Sequence, residues 1–303
     1  MTTPSQPLPP SEQELASLLI AITIGQDAVA HAIAREFVPR PPSHLGERSG
    51  VFLLAGFQPQ AHLKMAARLA EELHLRTVGF DLSSDWGRGP ALFTSGLRDS
   101  DVGSLADHVR AGPGLLVVLT NVEKAHPEVL AQIEAAWRSG GIRDHVGDVI
   151  PLGGTTFMLT TELASQAIGQ MARHETDPDR LHVACLKMLL DEGCPASILA
   201  RIDRLFCLRY MTPGEKAREQ HRRLVEAVEE DGLQLAAGGI DARILIDIMD
   251  PPVGLYADPD CAPLADFDEH LADAKARGIG TVRLVLAERG VAVVAADDQE
   301  VGV

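Results

Sequence analysis

Residues 50–72 constrain this chain more than any other stretch. An apolar run, Gly50-Val51-Phe52-Leu53-Leu54-Ala55-Gly56, leads into a short turn with Pro59. A segment with Leu63, Ala66, Ala67 and Ala70 at helical spacing follows. A buried strand feeding directly into a helix is the layout of a phosphate-binding loop. Such a loop needs G-x-x-x-x-G-K-[ST]: the glycines let backbone N–H groups converge on phosphate, the lysine neutralises it and the hydroxyl holds Mg²⁺. Gly56 opens that pattern, and then the pattern departs. Ala61 stands for the second glycine, His62 for the lysine and Leu63 for Ser/Thr, while Pro59 removes one backbone donor. His62 can replace only part of the lysine's charge, since its reference pKa is ~6.5.

Around this stretch, apolar runs alternate with helical patterns. Residues 75–82, 114–120, 155–160 and 204–208 read as strands, with helices over 12–22, 27–37, 104–111, 127–138, 178–190 and 196–201. Asp27 is placed to cap the second helix, and Pro127 fits a first helical turn. Residues 142–152 read as a polar hairpin, and 83–103 as a long irregular loop of the kind that is functional or mobile. The alternation predicts an α/β fold, a mostly parallel sheet with helices on both faces. Composition shifts after Met211-Thr212-Pro213. Helices over 215–231, 241–249 and 267–276 are followed by alternating Val and Leu around Glu288-Arg289-Gly290, a β-hairpin. The expected organisation is a disordered tail at 1–11, a large α/β domain at 12–209 and a small α+β domain at 210–303.

A net charge of −16 argues against a nucleic-acid partner. Cys185, Cys194, Cys207 and Cys261 have no metal-ligand spacing, so they read as reduced core thiols of a cytoplasmic protein, with no metal site. The N-terminus has neither the basic-then-apolar pattern of a signal peptide nor that of a transit peptide, and no apolar run is long enough to span a membrane. No Ser/His/Asp or Cys/His set is assembled by local motif.

Several stretches, taken in order, resemble one AAA+ module of the Clp family. They are most similar to the second, C-terminal module of the Clp disaggregases, including the variant that serves type VI secretion. Ile24-Gly25-Gln26-Asp27 resembles the family segment beside the adenine. Glu123-Lys124-Ala125-His126-Pro127-Glu128-Val129 is near-identical to the run after the Walker B strand. Gly141-Ile142-Arg143-Asp144 continues in register. Ile198-Leu199-Ala200-Arg201-Ile202-Asp203 resembles the segment with the arginine finger. Asp241-Ala242-Arg243 sits where the small domain has its sensor-two arginine, and Gly280-Thr281-Val282-Arg283-Leu284 resembles the closing hairpin. The matches run from about residue 13 to 296, and they imply an AAA+ large domain followed by its small domain.

The same resemblance identifies losses. The Walker B Asp-Glu, which holds the Mg²⁺ shell and orients the attacking water, is Thr120-Asn121. The Thr-Ser-Asn sensor is Thr160-Thr161-Glu162. The pore loop falls at about Ser95-Gly96-Leu97-Arg98, without the aromatic that grips a translocated chain. What the resemblance implies is a degenerate module with no catalytic residues and no bound cofactor. Ile24, Gly25, Gly56, His62 and Arg243 remain as a vestigial nucleotide site, and Arg201 is an interface residue. The expected role is scaffold, adaptor or regulatory subunit, through self-association or beside an active AAA+ partner. The alternative is a divergent unfoldase that binds ATP or ADP through non-standard contacts.

Overall fold

The computed structural model describes residues 10–38, 50–56, 59–88, 92–93, 103–143, 147–249, 267–287 and 290–296. The expected N-terminal tail, apart from its last two residues, and the expected pore-loop position at 95–98 lie outside these residues. The chain divides into two compact units, Met1–Tyr210 and Met211–Val303.

In the larger unit, helices α1 (Glu12–Ile22) and α2 (Asp27–Phe37) precede β1 (Gly50–Gly56) and α3 (Pro59–Glu72). Then come β2 (Arg76–Asp81), α4 (Leu105–Arg110), β3 (Leu115–Thr120) and α5 (Pro127–Ser139). The short strands β4 (Gly141–Arg143) and β5 (Val149–Pro151) follow, then β6 (Thr155–Thr161), α6 (Ser165–His174), α7 (Pro178–Asp191), α8 (Ala196–Leu199) and β7 (Arg204–Leu208). Five strands form one sheet in the order β2-β3-β6-β1-β7, every neighbouring pair parallel. β4 and β5 form the expected separate antiparallel pair.

Alternation along the strands divides the core in two. Phe52 and Leu54 of β1 join Leu116, Val118, Met158 and Phe206 in a cluster closed by α1, α2 and α3. Val51, Leu53 and Ala55 face the other way, into a cluster with α5, α6, α7 and α8. Because both faces are covered, every residue of β1 and β6 is buried; β1 is apolar throughout, whereas β6 flanks Phe157, Met158 and Leu159 with four buried threonines.

Local signals set the helix starts. Ser11 and Glu14 form a capping box on α1, and Ser104 and Asp107 form another on α4. His126 caps α5 by accepting from the Glu128 N–H at 3.3 Å, with Pro127 in the first turn. One expected cap is corrected. Asp27 is the first residue of α2 rather than its cap; Gln26 holds the cap position and makes no side-chain capping bond. Its amide is committed elsewhere, as described below.

The smaller unit has its own apolar cluster, built on Leu224, Val228, Ile244, Phe267, Leu271 and Leu284. It holds α9 (Pro213–Glu230), β8 (Gln234–Ile240), α10 (Ala242–Met249), α11 (Phe267–Ala276), β9 (Thr281–Ala287) and β10 (Gly290–Ala295). β9 and β10 are the expected hairpin, and β8 pairs with β9 in parallel. Thr212 and Glu215 cap α9 reciprocally.

Candidate functional site

In a parallel sheet covered on both faces, ligands meet the carboxyl ends of the strands. Gly56 ends β1 there with φ at 113°, and a Cβ at this position would lie 2.2 Å from the carbonyl oxygen of Leu208. Only glycine fits so close to the end of β7. Gln26 reaches the next residue of that strand end. Its Nε2 donates to the Arg209 carbonyl at 2.9 Å, and its Oε1 accepts from the Arg209 N–H at 3.1 Å. Gln26 is 1% exposed, so this pair of bonds satisfies a buried amide completely along one edge.

Beside this turn opens a cavity of about 310 Å³, whose walls include Gly25, Gln26, Val29, Arg204, Phe206 and Arg209. Of the residues expected at a nucleotide site, Gly25 lines this cavity; Ile24, Gly56 and His62 do not. Arg243 belongs to the smaller unit, where its guanidinium closes on Asp241, with Nη2 at 2.5 Å from Oδ2.

His62 points into the protein. It shares a face of α3 with Met65, Ala66 and Leu69, is 2% exposed, and its Nε2 finds no hydrogen-bond partner. Burial pushes its pKa down to about 4. The partial positive charge expected of it at the lysine position is therefore absent near neutral pH. Leu63, at the Ser/Thr position, is half exposed.

The positions that would hold metal and water in an active module carry a polar network bonded to itself. Thr120 ends β3, and Asn121 follows in a left-handed conformation, φ 56°. Asn121 Nδ2 donates to Asp81 Oδ1 at 2.8 Å, at the end of β2, and Asn121 Oδ1 accepts from Lys124 Nζ at 3.3 Å. Lys124 also pairs with Glu162 at 2.9 Å. Glu123 turns toward the end of β6, where it accepts from the Thr161 hydroxyl at 2.8 Å and from the Glu162 N–H at 3.4 Å. So Glu123 caps the end of β6, and Glu162 is neutralised by a lysine.

The electrostatics follow this wiring. Burial opposes ionisation of Asp81, but hydrogen bonds from Asn121 and Ser83 and the Lys124 charge outweigh it and hold the carboxyl below its usual range. The Glu162 hydrogen bond, opposed by some burial and aided by nearby carboxylates, raises Lys124. Sequence reasoning does not single out Asp81, and it names Gln26 only within the segment Ile24-Gly25-Gln26-Asp27, without a role for its side chain. The available signal for Asp81 is an acid closing a half-buried edge strand next to β3.

Arg201 follows α8, three residues before β7. Among the described residues it makes no ion pair, and its N–H donates to the Ile198 carbonyl at 2.9 Å. Asp203 fixes this turn: its carboxylate accepts from the Val51 N–H at 2.7 Å, and its own N–H donates to the Val51 carbonyl at 2.8 Å.

No protein-family profile matches the chain. It is similar to the chaperone protein ClpB of Rhodopirellula baltica, 26% identical over 266 residues, covering 82% of this chain and 29% of that protein. It is 29% identical over 196 residues to the AAA+ ATPase ClpV1 of Pseudomonas aeruginosa, covering 59% of this chain and 21% of that one. A ClpA homolog, the ATP-binding subunit of an ATP-dependent Clp protease in Cyanidium caldarium, is 26% identical over 157 residues, with coverages of 48% and 18%. The chain spans less than a third of the length of each of these relatives.

Proposed function

We propose that this Clp-like AAA+ protein does not hydrolyse ATP and works as a scaffold, adaptor or regulatory subunit of a larger assembly, either with copies of itself or beside an active AAA+ subunit. The observation that carries the reading is the closed network Asp81–Asn121–Lys124–Glu162 with Glu123 on Thr161. Hydrolysis by an AAA+ module needs one acid in the Mg²⁺ shell and one to orient water. Here Thr120 and Asn121 stand at those positions, and each carboxylate in the network already has a bonded partner. No helix among the described residues is long and apolar enough to cross a membrane.

The test is phosphate release by purified protein with Mg²⁺ and ATP. The expected result is none above buffer. Turnover that survives further purification and vanishes on Gly56→Val would overturn the reading.

A second reading draws on the cavity at Gly25 and Gln26, whose walls include Arg204 and Arg209. It supports a divergent unfoldase or chaperone that binds ATP or ADP through non-standard phosphate contacts. Calorimetry separates the two: saturable binding in the micromolar range favours the second, and its absence the first.

A further inference from the structure

The five-stranded sheet ends at β7, which among the described residues pairs on one side only, with β1. Val51 of β1 turns both of its backbone groups toward β7. Its N–H donates to the Asp203 carboxylate at 2.7 Å, and its carbonyl accepts from the Asp203 N–H at 2.8 Å. By alternation Leu53 and Ala55 also bond toward β7, and in the observed register those bonds go to Arg204, Phe206 and Leu208. Leu205, Cys207 and Arg209 therefore turn their N–H and C=O groups outward. Gln26 confirms the parity at Arg209, because its side-chain amide bonds both of those groups, at 2.9 and 3.1 Å. Among the described residues nothing bonds the outward groups of Leu205 and Cys207, and both residues line the cavity of about 310 Å³.

The rest of the cavity has the form of a slot for one more strand. Ala28, Val29 and Ala32 of α2 wall it on one side, and Pro178 and Leu181 of α7 on the other. These two helices cover opposite faces of the sheet, so the edge of β7 lies open between them. Unpaired edge groups of this kind are a template for another chain. The charge of the slot is selective as well. Arg204 and Arg209 stand at its two ends and Arg173 on its rim, against one described acid, Glu175. This local excess of positive charge belongs to a chain whose net charge is −16.

We propose that the β7 edge docks an extended acidic segment of a partner protein, which adds to the sheet as a sixth strand. The N–H and C=O groups of Leu205 and Cys207 take the backbone of the segment, and the arginines take its carboxylates. Gln26 sets the limit of the added strand, since its amide already fills the rung at Arg209. The pairing is thus short, about three to five residues. The proposal rests on the scaffold reading only in requiring a partner, and phosphate release tests that reading separately. It fills the cavity that the nucleotide reading would use, so the two occupants compete.

Fluorescence anisotropy tests it, with the full chain and the fluorescein-labelled peptide Glu-Val-Thr-Val-Glu, amidated at its carboxyl end. The expected result is saturable binding. N-methylation of alternate peptide amides should weaken it by about tenfold, as should lysine in place of both glutamates. Arg173→Glu, at the exposed end of α6, should weaken it by about fivefold and leave the fold intact. Hydrogen exchange locates the peptide: the Leu205 and Cys207 amides should slow on binding, while the Phe206 amide, already bonded to β1, should not change. The absence of saturation overturns the proposal. So does equal binding of the N-methylated peptide, which reports a charge contact without strand addition, and so does saturation with unchanged exchange at Leu205 and Cys207. Saturation by ADP without saturation by the peptide also overturns it and assigns the cavity to nucleotide.

Discussion

Asn121 and Asp81 share a hydrogen bond across the ends of two neighbouring parallel strands, Nδ2 to Oδ1 at 2.8 Å. The amide is therefore one of the donors that hold Asp81, beside the Ser83 N–H and hydroxyl. Replacing Asn121 by Glu places a second carboxylate beside the first. The expected outcome is a loss of about 1 kcal/mol near pH 7 and no phosphate release. Calorimetric Tm values read it, and the loss should shrink at acid pH as the carboxylates protonate. An unchanged Tm near neutrality counts against this assignment.

His62 makes stability depend on pH. Its folded pKa, about 4, lies below the unfolded reference of 6.5. The unfolded chain thus takes up the proton first, and stability falls as pH drops from above 6.5 toward 4. At ~1.4 kcal/mol per unit, the loss attributable to this residue reaches about 3 kcal/mol. His62→Leu removes that share. Urea unfolding of both proteins at about pH 7 and about pH 4.5 should show the variant losing clearly less on acidification. Equal losses would show that other groups carry the acid sensitivity.

Gln26→Ala deletes both bonds to the Arg209 backbone and leaves a buried N–H and carbonyl unpaired. An expected cost of about 2 kcal/mol should appear as a lower urea midpoint with an unchanged slope. Gln26→Glu should cost more, because a carboxylate then faces the Arg209 carbonyl. A neutral Gln26→Ala would mean that water replaces the amide fully.

Arg201→Glu tests assembly. If Arg201 meets an acidic partner on a neighbouring subunit, reversal should weaken association by about 2–5 kcal/mol, while Glu229→Lys, on the exposed end of α9, should leave it unchanged. Light scattering over a concentration series reads both. A strict monomer in which the two variants match the parent removes the support for Arg201 as an interface residue.

Much of the parallel sheet is legible in the sequence, because its strands are short apolar runs between turn signals. Two elements are not. α6 starts from Ala164 in a left-handed conformation with no capping side chain, and it carries Gly169 in its middle. That glycine answers to a distant residue: a Cβ there would lie 2.8 Å from the Tyr210 ring. β8, Gln-Leu-Ala-Ala-Gly-Gly-Ile, has little strand propensity and depends on pairing with β9. The site divides in the same way. That Thr120, Asn121 and His62 replace expected groups is visible in the chain itself. That Asn121 bonds a residue 40 positions away, and Lys124 one 38 positions away, is set by strand order. The burial of His62 follows from which face of α3 meets the sheet, which a loop motif does not encode.

The reciprocal bonds between Asp203 and Val51 have a thermodynamic consequence for any neighbour that meets Arg201. Val51 belongs to β1, which lies inside the sheet with a strand on either side, and all of its residues are buried. The backbone that presents Arg201 is thus fastened to one of the stiffest parts of the molecule. A docking partner would have only the arginine's own rotamers to immobilise, at ~0.5–1.5 kcal/mol, instead of a whole loop. Breaking the fastening with Asp203→Ala would leave every atom of Arg201 in place chemically, yet it would transfer the ordering cost from folding to association.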